Sequence, residues 1–230
     1  MQDNAKRCLK RMFSCMQNYY GPTHWWPGDT PFEIAIGAIL TQNTAWTNVE
    51  KAIEKLKKKQ LLKPDTMLFI PVAQLEEAIR SSGYYKQKAK RLRTFCAYLM
   101  DGYGGSIRRM AKQATARLRE ELLALNGIGP ETADDILLYA CDKPVFVVDT
   151  YTRRILSRHH IVSETVGYTD LQQLFHDNLP QDVRLFKEFH GLIVYIGKDF
   201  CRRTPRCDAC PLRLFSMTTA IEHNNLCKKT

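Results

Sequence analysis

The sequence has no apolar segment long enough to cross a membrane. Its uncharged apolar stretches, such as Ile34 to Leu40, are far shorter than the roughly 20 residues that a membrane-spanning helix needs. The N-terminal segment also lacks the apolar core that follows the charges of a secretory signal peptide. We therefore expect a cytoplasmic protein.

Segments with the alternating pattern of β-strands are nearly missing, and low-complexity tracts and internal repeats are absent. Only Val145 to Val148 indicates a short extended piece. Elsewhere apolar residues recur at helical spacing, and proline, glycine and capping residues separate the predicted helices. These span 31–41, 44–59, 72–81, 86–101, 116–125, 131–141, 149–158, 169–179 and 185–200. The sequence therefore predicts an all-α fold with short connections.

Acidic residues are too few to balance the basic ones. Lys and Arg number 34 against 24 Asp and Glu, which gives a net charge of +10. This excess favours a polyanionic partner such as nucleic acid, although a merely basic protein fits it too. The run Lys51 to Lys59 indicates a solvated helix face. The run Lys86 to Arg93 follows two tyrosines, a pattern typical of phosphate-tracking surfaces, so Lys86 and Lys88 are candidate DNA contacts, with a solvated face as the alternative.

Two glycines separated by one apolar residue lie between two predicted helices. Gly127 and Gly129 permit positive φ and close approach, so the backbone N–H groups of this turn can bind a phosphate. Ile128 is expected to anchor the turn in the core, and Pro130 suits the first turn of the next helix. An ordinary helix–helix turn would show the same glycines, so the segment that follows decides the interpretation.

That next segment is an apolar run that ends at Asp149, 18 residues past Glu131. Taken alone, Asp149 is a helix N-cap. Taken together, the hairpin, the proline-containing segment and this aspartate resemble the helix-hairpin-helix and Gly/Pro-rich loop ending in Asp of the endonuclease III superfamily of DNA glycosylases. The resemblance covers about residues 20–210.

The resemblance implies a fold of two all-α subdomains with the active-site cleft between them. We expect one subdomain to comprise 1–29 and 126–230, and the other to comprise 30–125, leading into the helix-hairpin-helix at 116–141. The resemblance further implies that Gln42 belongs to the segment that fills the gap left by an extruded base. Asp149 would stabilise the oxocarbenium-like sugar and orient or deprotonate the attacking water.

Glu131 stands where bifunctional members of this superfamily carry a lysine that forms a Schiff base with the sugar. A carboxylate cannot form an imine, so we expect a monofunctional enzyme that leaves an abasic site, with Glu131 as a site residue. The alternative is a non-catalytic helix-hairpin-helix protein that binds DNA and in which Asp149 only caps a helix.

All three tryptophans of the chain, Trp25, Trp26 and Trp46, flank Gln42. Their segments, with the Glu at 131, look like the bacterial 3-methyladenine DNA glycosylase branch, in which aromatics clamp the base. Tryptophan faces attract cationic rings such as N-methylated purines, although buried core aromatics would give the same pattern. We therefore expect an enzyme that removes N-alkylated purines from double-stranded DNA. We further expect it to be a monomer and to work at the nucleoid.

Other members of the superfamily act on mismatched or oxidised bases. The adenine-mismatch branch needs a catalytic Glu at the position of Ala38, which disfavours it here, whereas a thymine-mismatch specificity is less easily set aside. His190 is either a site residue or a structural histidine of its helix.

Clustered cysteines close the sequence. Cys201, Cys207 and Cys210 resemble three of the four ligands of the iron–sulfur members, but the first spacer is one residue shorter and Ser216 stands where their fourth cysteine falls. Cys227 is the candidate fourth ligand. A 4Fe-4S cluster is the expected cofactor, and a zinc ion or an empty site are the alternatives.

Overall fold

The computed structural model describes residues 2–215, and this part of the chain is helical without a β-strand. The all-α prediction is confirmed. The α-helices are α1 Gln2–Tyr20, α2 Pro31–Thr41, α3 Trp46–Lys58, α4 Pro64–Phe69, α5 Val72–Ala78, α6 Tyr85–Tyr103, α7 Ile107–Met110, α8 Thr115–Leu123, α9 Pro130–Asp135, α10 Thr150–Arg158, α11 Tyr168–Asn178 and α12 Val183–Asp199. Among residues 2–215, no helix combines the length and the apolar character that a membrane span requires.

The described residues pack as two units, 2–26 with 144–215, and 27–143. This grouping differs from the expected subdomains, in which everything after residue 125 accompanied the N-terminal helix. The second unit keeps the whole hairpin because α9 packs on α2 and α8. The chain therefore changes units before the apolar segment that leads to Asp149.

In the first unit, α1 packs on α11 and α12, and α10 packs on α12. A cluster of buried aromatic rings fills the centre, where Phe146 stacks on Phe175 with 3.6 Å between ring centroids. The extended segment 145–148 forms no strand. The Phe146 N–H instead donates to His176 at 2.9 Å, and its carbonyl accepts from Gln172 at 2.6 Å. These side chains satisfy the hydrogen-bonding groups of the buried Phe146 backbone and so hold in place the segment that leads to Asp149.

In the second unit, α2 is almost wholly buried and packs on α3, α6 and α9. It begins as the sequence predicts, because Thr30 accepts a hydrogen bond from the Glu33 N–H and Pro31 occupies the first turn. The helix predicted at 131–141 is α9 followed by one π-helical turn, Ile136–Ala140. Asp134 of α9 is fully buried and pairs with Arg119 at 2.7 Å.

Candidate functional site

Asp149 caps the N-terminus of α10 with one of its two carboxylate oxygens. Its Oδ1 accepts hydrogen bonds from the Thr152 N–H at 2.7 Å and from the Thr152 hydroxyl at 2.8 Å. Its Oδ2 lies 3.7 Å from Nε2 of His190, and the Asp149 side chain is 11% exposed. The capping interpretation is correct, but the cap uses Oδ1 and leaves Oδ2 facing α12.

The environment of Asp149 favours its ionised form. Burial alone would raise the pKa of this carboxyl, but His190 and the two hydrogen bonds from Thr152 outweigh it, so the pKa lies below its ordinary value. His190 is buried on α12 and lowers the pKa of this carboxyl with its Nε2 3.7 Å from Oδ2. The result is a water-poor site with a fixed negative charge.

The two adjacent tryptophans lie in the same unit as Asp149, and Trp25 packs on α12. A Cβ atom on Gly191 would come within 2.7 Å of the Trp25 Cβ, so only glycine allows this approach. The Trp25 ring meets Tyr195 edge-on, and the Lys198 ammonium lies 4.9 Å from its centroid. Since His190 and Gly191 are neighbours in α12, Asp149 and Trp25 are held at the same turn of this helix.

Trp26 lies next to Trp25, with 5.8 Å between the ring centroids, and both are half-buried. The segment before them is fixed by Glu188, which accepts hydrogen bonds from the Thr23 N–H at 2.7 Å and from its hydroxyl at 3.0 Å. In the second unit, Trp46 begins α3, is half-buried, and donates from Nε1 to Glu50 at 2.7 Å.

The glycine turn has the geometry that the sequence indicates. Gly127 has a φ of 86°, a conformation that favours glycine, and Ile128 is buried beneath the turn. The Gly129 carbonyl accepts from the Ala133 N–H at 2.9 Å, which starts α9. Glu131 lies exposed in the first turn of that helix.

Gln42 lies directly against this turn. Its Nε2 donates to the Gly127 carbonyl at 3.0 Å and to the Thr132 hydroxyl at 2.9 Å, and its Oε1 accepts from the Arg91 guanidinium. The structure thus brings together two features that the sequence presents 85 residues apart, the Gln segment and the hairpin.

Of the two lysines predicted to contact DNA, only Lys86 is exposed. Lys88 is 1% exposed, and its ammonium donates to the Leu40 carbonyl at 2.8 Å and to the Ser82 carbonyl at 2.6 Å. Burial lowers its pKa to about 8. The prediction that Lys88 contacts DNA is therefore wrong, because this side chain joins α6 to the end of α2.

The cysteine segment does not form a metal site within residues 2–215. Cys201 and Cys210 are buried and Cys207 is exposed, and no three His, Cys, Asp or Glu side chains in this described part converge to hold a metal ion. The three cysteines among residues 2–215 do not by themselves supply the four thiolates that a cluster needs. Cys227, the candidate fourth ligand, lies outside the described residues.

Arg158 holds this segment to α10. Its guanidinium donates to the carbonyls of Arg202 at 2.7 Å and Arg203 at 3.0 Å, and reaches the Cys201 sulfur at 3.4 Å. Arg158 thus fixes the backbone of these two arginines.

Residues 36–181 match the model of the HhH-GPD superfamily base excision DNA repair proteins. The chain belongs to this superfamily. It is a base excision repair DNA glycosylase, and the resemblance recognised in the sequence is confirmed.

Relatives of this HhH-GPD protein match most of its length. It is 43% identical to a Methanocaldococcus jannaschii protein named "Putative DNA repair glycosylase", over 95% of this chain and 100% of the relative. It is 32% identical to endonuclease III of Thermotoga maritima, over 80% of this chain and 81% of the relative.

Solved structures agree with this assignment. The crystal structure of the H. pylori 3-methyladenine DNA glycosylase MagIII bound to 1,N6-ethenoadenine is 32% identical, has a TM-score of 0.73, and is matched over 84% of this chain and 97% of that one. A trapped endonuclease III–DNA covalent intermediate has a TM-score of 0.78 at 24% identity over 96% and 99% of the two chains, which supports the fold.

For this HhH-GPD protein, the sequence leaves one residue of the site undecided and does not indicate another. It left His190 undecided, although the histidine occupies a buried stripe of α12 with Phe186 and Ile193. It did not single out Arg91, because no local pattern indicates that an arginine of α6 reaches a glutamine 49 residues earlier.

Proposed function

We propose that this HhH-GPD protein is a monofunctional glycosylase that removes N-alkylated purines, such as 3-methyladenine, from double-stranded DNA. The observation that carries the proposal is the pair formed by Asp149 and His190 at the turn of α12 that also holds Trp25. This part of the protein combines the carboxylate of Asp149, whose pKa is lowered, with the aromatic face of Trp25.

The leaving group explains why this pair is sufficient. An N3- or N7-alkylated purine carries a positive charge, so its bond to C1′ breaks with both electrons going to the base, and no acid has to protonate it. Asp149, ionised at neutral pH, stabilises the positive charge that develops on the sugar. Water then adds to C1′ and gives its proton to the carboxylate or to solvent, which leaves a free base and an abasic site.

The absence of a lysine at residue 131 supports hydrolysis without strand cleavage. A bifunctional member forms an imine between a lysine amine and the sugar and then breaks the strand. Glu131 has no amine, and it lies exposed in the first turn of α9. Its proposed part in the site is limited to the charge it adds near the hairpin.

Trp25 and Trp26 are the proposed stacking surface for the base. The Lys198 ammonium covers one face of the Trp25 ring, so a base stacks on another face or displaces the lysine. The alkylpurine preference draws support from the 3-methyladenine glycosylase of H. pylori at 32% identity. The part expected of Trp46 stays a prediction.

The second unit is proposed to hold the DNA backbone. The Ile128 N–H already donates to the Leu125 carbonyl at 3.0 Å, so the N–H groups of Gly127 and Gly129 are the ones proposed to bind a phosphate oxygen. Exposed Lys86 adds a positive charge on α6. Gln42, at the edge of this turn, is the residue proposed to fill the gap left by the extruded base.

The iron–sulfur cluster remains a prediction from the cysteine spacing and enters no step of this mechanism. An absorption band at about 400 nm that bleaches on reduction is the expected signature of a cluster. A colourless protein that contains about one zinc would contradict it.

Base release tests the proposal directly. Wild-type protein is incubated with duplex DNA that carries N-methylated purines, and the released bases are identified by mass spectrometry. We expect free 3-methyladenine or 7-methylguanine. Release of thymine, uracil or oxidised bases instead would contradict the proposed specificity, and release of no base from any of these substrates would contradict catalysis.

A further inference from the structure

The amide of Gln42 is held in one orientation. Both of its N–H groups are used, one by the Gly127 carbonyl and one by the Thr132 hydroxyl, while its oxygen accepts from Arg91. A flipped amide would bring its NH₂ group against the guanidinium and its oxygen against the Gly127 carbonyl. Arg91, which can only donate, therefore selects the observed orientation.

Arg91 itself has little freedom to move. Its aliphatic stem and Nε pack on Gly127, where an added Cβ would lie 2.4 Å from Nε and 2.7 Å from Cδ. The glycine of the hairpin thus serves a second purpose besides its positive φ. It leaves room for the arginine stem, which in turn touches the turn that carries the proposed phosphate site.

Helix α6 fixes the Gln segment at two points, one turn apart. Lys88 binds the Leu40 carbonyl, two residues before Gln42. Arg91, three positions later on the same helix, binds the Gln42 side chain. One lysine therefore holds the main chain of the segment, and one arginine holds the side chain that the proposed function uses.

We infer that Arg91 is a positioning residue that keeps Gln42 ordered against the hairpin, so that the gap-filling side chain and the phosphate-binding turn engage DNA as one preformed unit. The inference rests on the proposed function of Gln42. Ordering a glutamine side chain before DNA binds removes an entropy cost from the complex. Arg91 reaches the Gln42 oxygen through Nη1 while its Nε and stem pack on Gly127, and a lysine ammonium, which is a single point charge, cannot reproduce both contacts.

A double-mutant cycle tests this role without base release. The variants are Arg91→Met, Gln42→Ala and the two combined, with Arg93→Met as a control that removes an equal charge from α6. The probes are a duplex with a tetrahydrofuran abasic analogue opposite 2-aminopurine and the same duplex without the analogue. The Kd of each and the 2-aminopurine fluorescence are measured at one salt concentration.

We expect Arg91→Met to reduce the preference for the tetrahydrofuran duplex by about tenfold, and to have no further effect once Gln42 is alanine. Arg93→Met should weaken binding to both duplexes equally. Equal and additive losses from Arg91→Met and Gln42→Ala would overturn the inference, because Arg91 would then act on DNA directly. An unchanged or increased preference in Arg91→Met would overturn it as well.

Arg91→Lys keeps the charge and guards against a misfolded variant. We expect it to bind undamaged duplex like wild type and to lose the preference as Arg91→Met does, whereas full rescue by lysine would overturn the positioning role. Thermal denaturation of each variant accompanies the binding assays. If wild type releases no alkylated base, the proposed function fails, but the cycle still reports on Arg91.

Discussion

Asp149 and His190 face each other across 3.7 Å between Oδ2 and Nε2 in one unit of the protein, with the Asp149 side chain 11% and the His190 side chain 4% exposed. The histidine offsets the cost of burying a carboxylate. The cap at α10 and the chemistry proposed for Asp149 can thus coexist, because they use different oxygens. This separation explains how one residue satisfies both interpretations of the sequence.

Replacing His190 should move the pH profile of base release. His190 lowers the pKa of Asp149, so His190→Gln leaves burial opposed only by Thr152, and the pKa rises. Because the ionised carboxylate is the active form, the acid limb of the profile should shift to higher pH. Single-turnover rates between acid and neutral pH measure this. His160→Gln, at an exposed histidine of the same unit, should leave the limb in place, and an unshifted limb in His190→Gln would contradict the role of His190.

Glu131 gives a second prediction, on strand cleavage. Wild-type protein with an abasic-site duplex should give no covalent complex on borohydride reduction, since no lysine amine is available at this position. Glu131→Lys should yield a trapped complex and nicked DNA. Gel electrophoresis detects both products. Trapping by wild type at the level of Glu131→Lys would show that another amine performs lyase chemistry.

Lys88 is predicted to stabilise the fold rather than to bind DNA. Lys88→Met leaves two buried carbonyls without their donor, which should cost about 2–4 kcal/mol in the free energy of unfolding and lower Tm by about 5–10 °C. The exposed Lys86→Met should change the free energy of unfolding by less than about 0.5 kcal/mol. Denaturation curves and DNA affinity together test this, since only Lys86→Met should reduce the salt dependence of binding.

The same lysine gives stability a pH dependence of known sign. Burial lowers the pKa of Lys88 from 10.5 to about 8 in the folded protein. Between these values the unfolded chain holds a proton that the folded protein has released, so this group makes folding more favourable as pH rises. The stability difference between wild type and Lys88→Met should therefore grow from pH 8 to 10.5. A constant difference would contradict the shifted pKa.

Lys198 tests the stacking role of Trp25. Its ammonium lies over the ring that is proposed to receive a cationic purine, and like charges compete for the same quadrupole. Lys198→Met should raise kcat/KM for cationic alkylpurines about twofold to tenfold, and should have less effect on a neutral substrate such as 1,N6-ethenoadenine. Competition assays with both lesions measure the ratio. Equal effects on the two lesions would place the base away from Trp25.

Local signals explain which parts of the fold could be predicted. The bounds of α2 match the prediction, Pro31 to Thr41, because a threonine cap and a proline mark its start. Helix α1 was not predicted. Its buried face is formed largely by cysteine and methionine, among them Cys8, Met12 and Met16, which give a weaker apolar pattern than leucine or isoleucine. The short helices α4 and α7 offer too few residues for a period to emerge.

The direction in which each basic side chain of a charged run points was not predicted. The run Lys86 to Arg93 does form part of a helix, but Lys88 lies on the buried stripe of that helix with Leu92 and Phe95. The spacing of these three residues already indicates in the sequence that they share one helix face. The contact between Arg91 and Gln42 depends on how α6 packs beside the hairpin, and no local pattern encodes it.

The central claim is that Asp149 drives hydrolysis of N-alkylated purines, and Asp149→Asn tests it most directly. Asparagine also caps helices, so the fold and the DNA affinity should persist while the negative charge is lost. Single-turnover release of 3-methyladenine from methylated duplex should fall by about 100-fold to 10,000-fold. Release by Asp149→Asn at the wild-type rate, with wild-type affinity, would contradict the account.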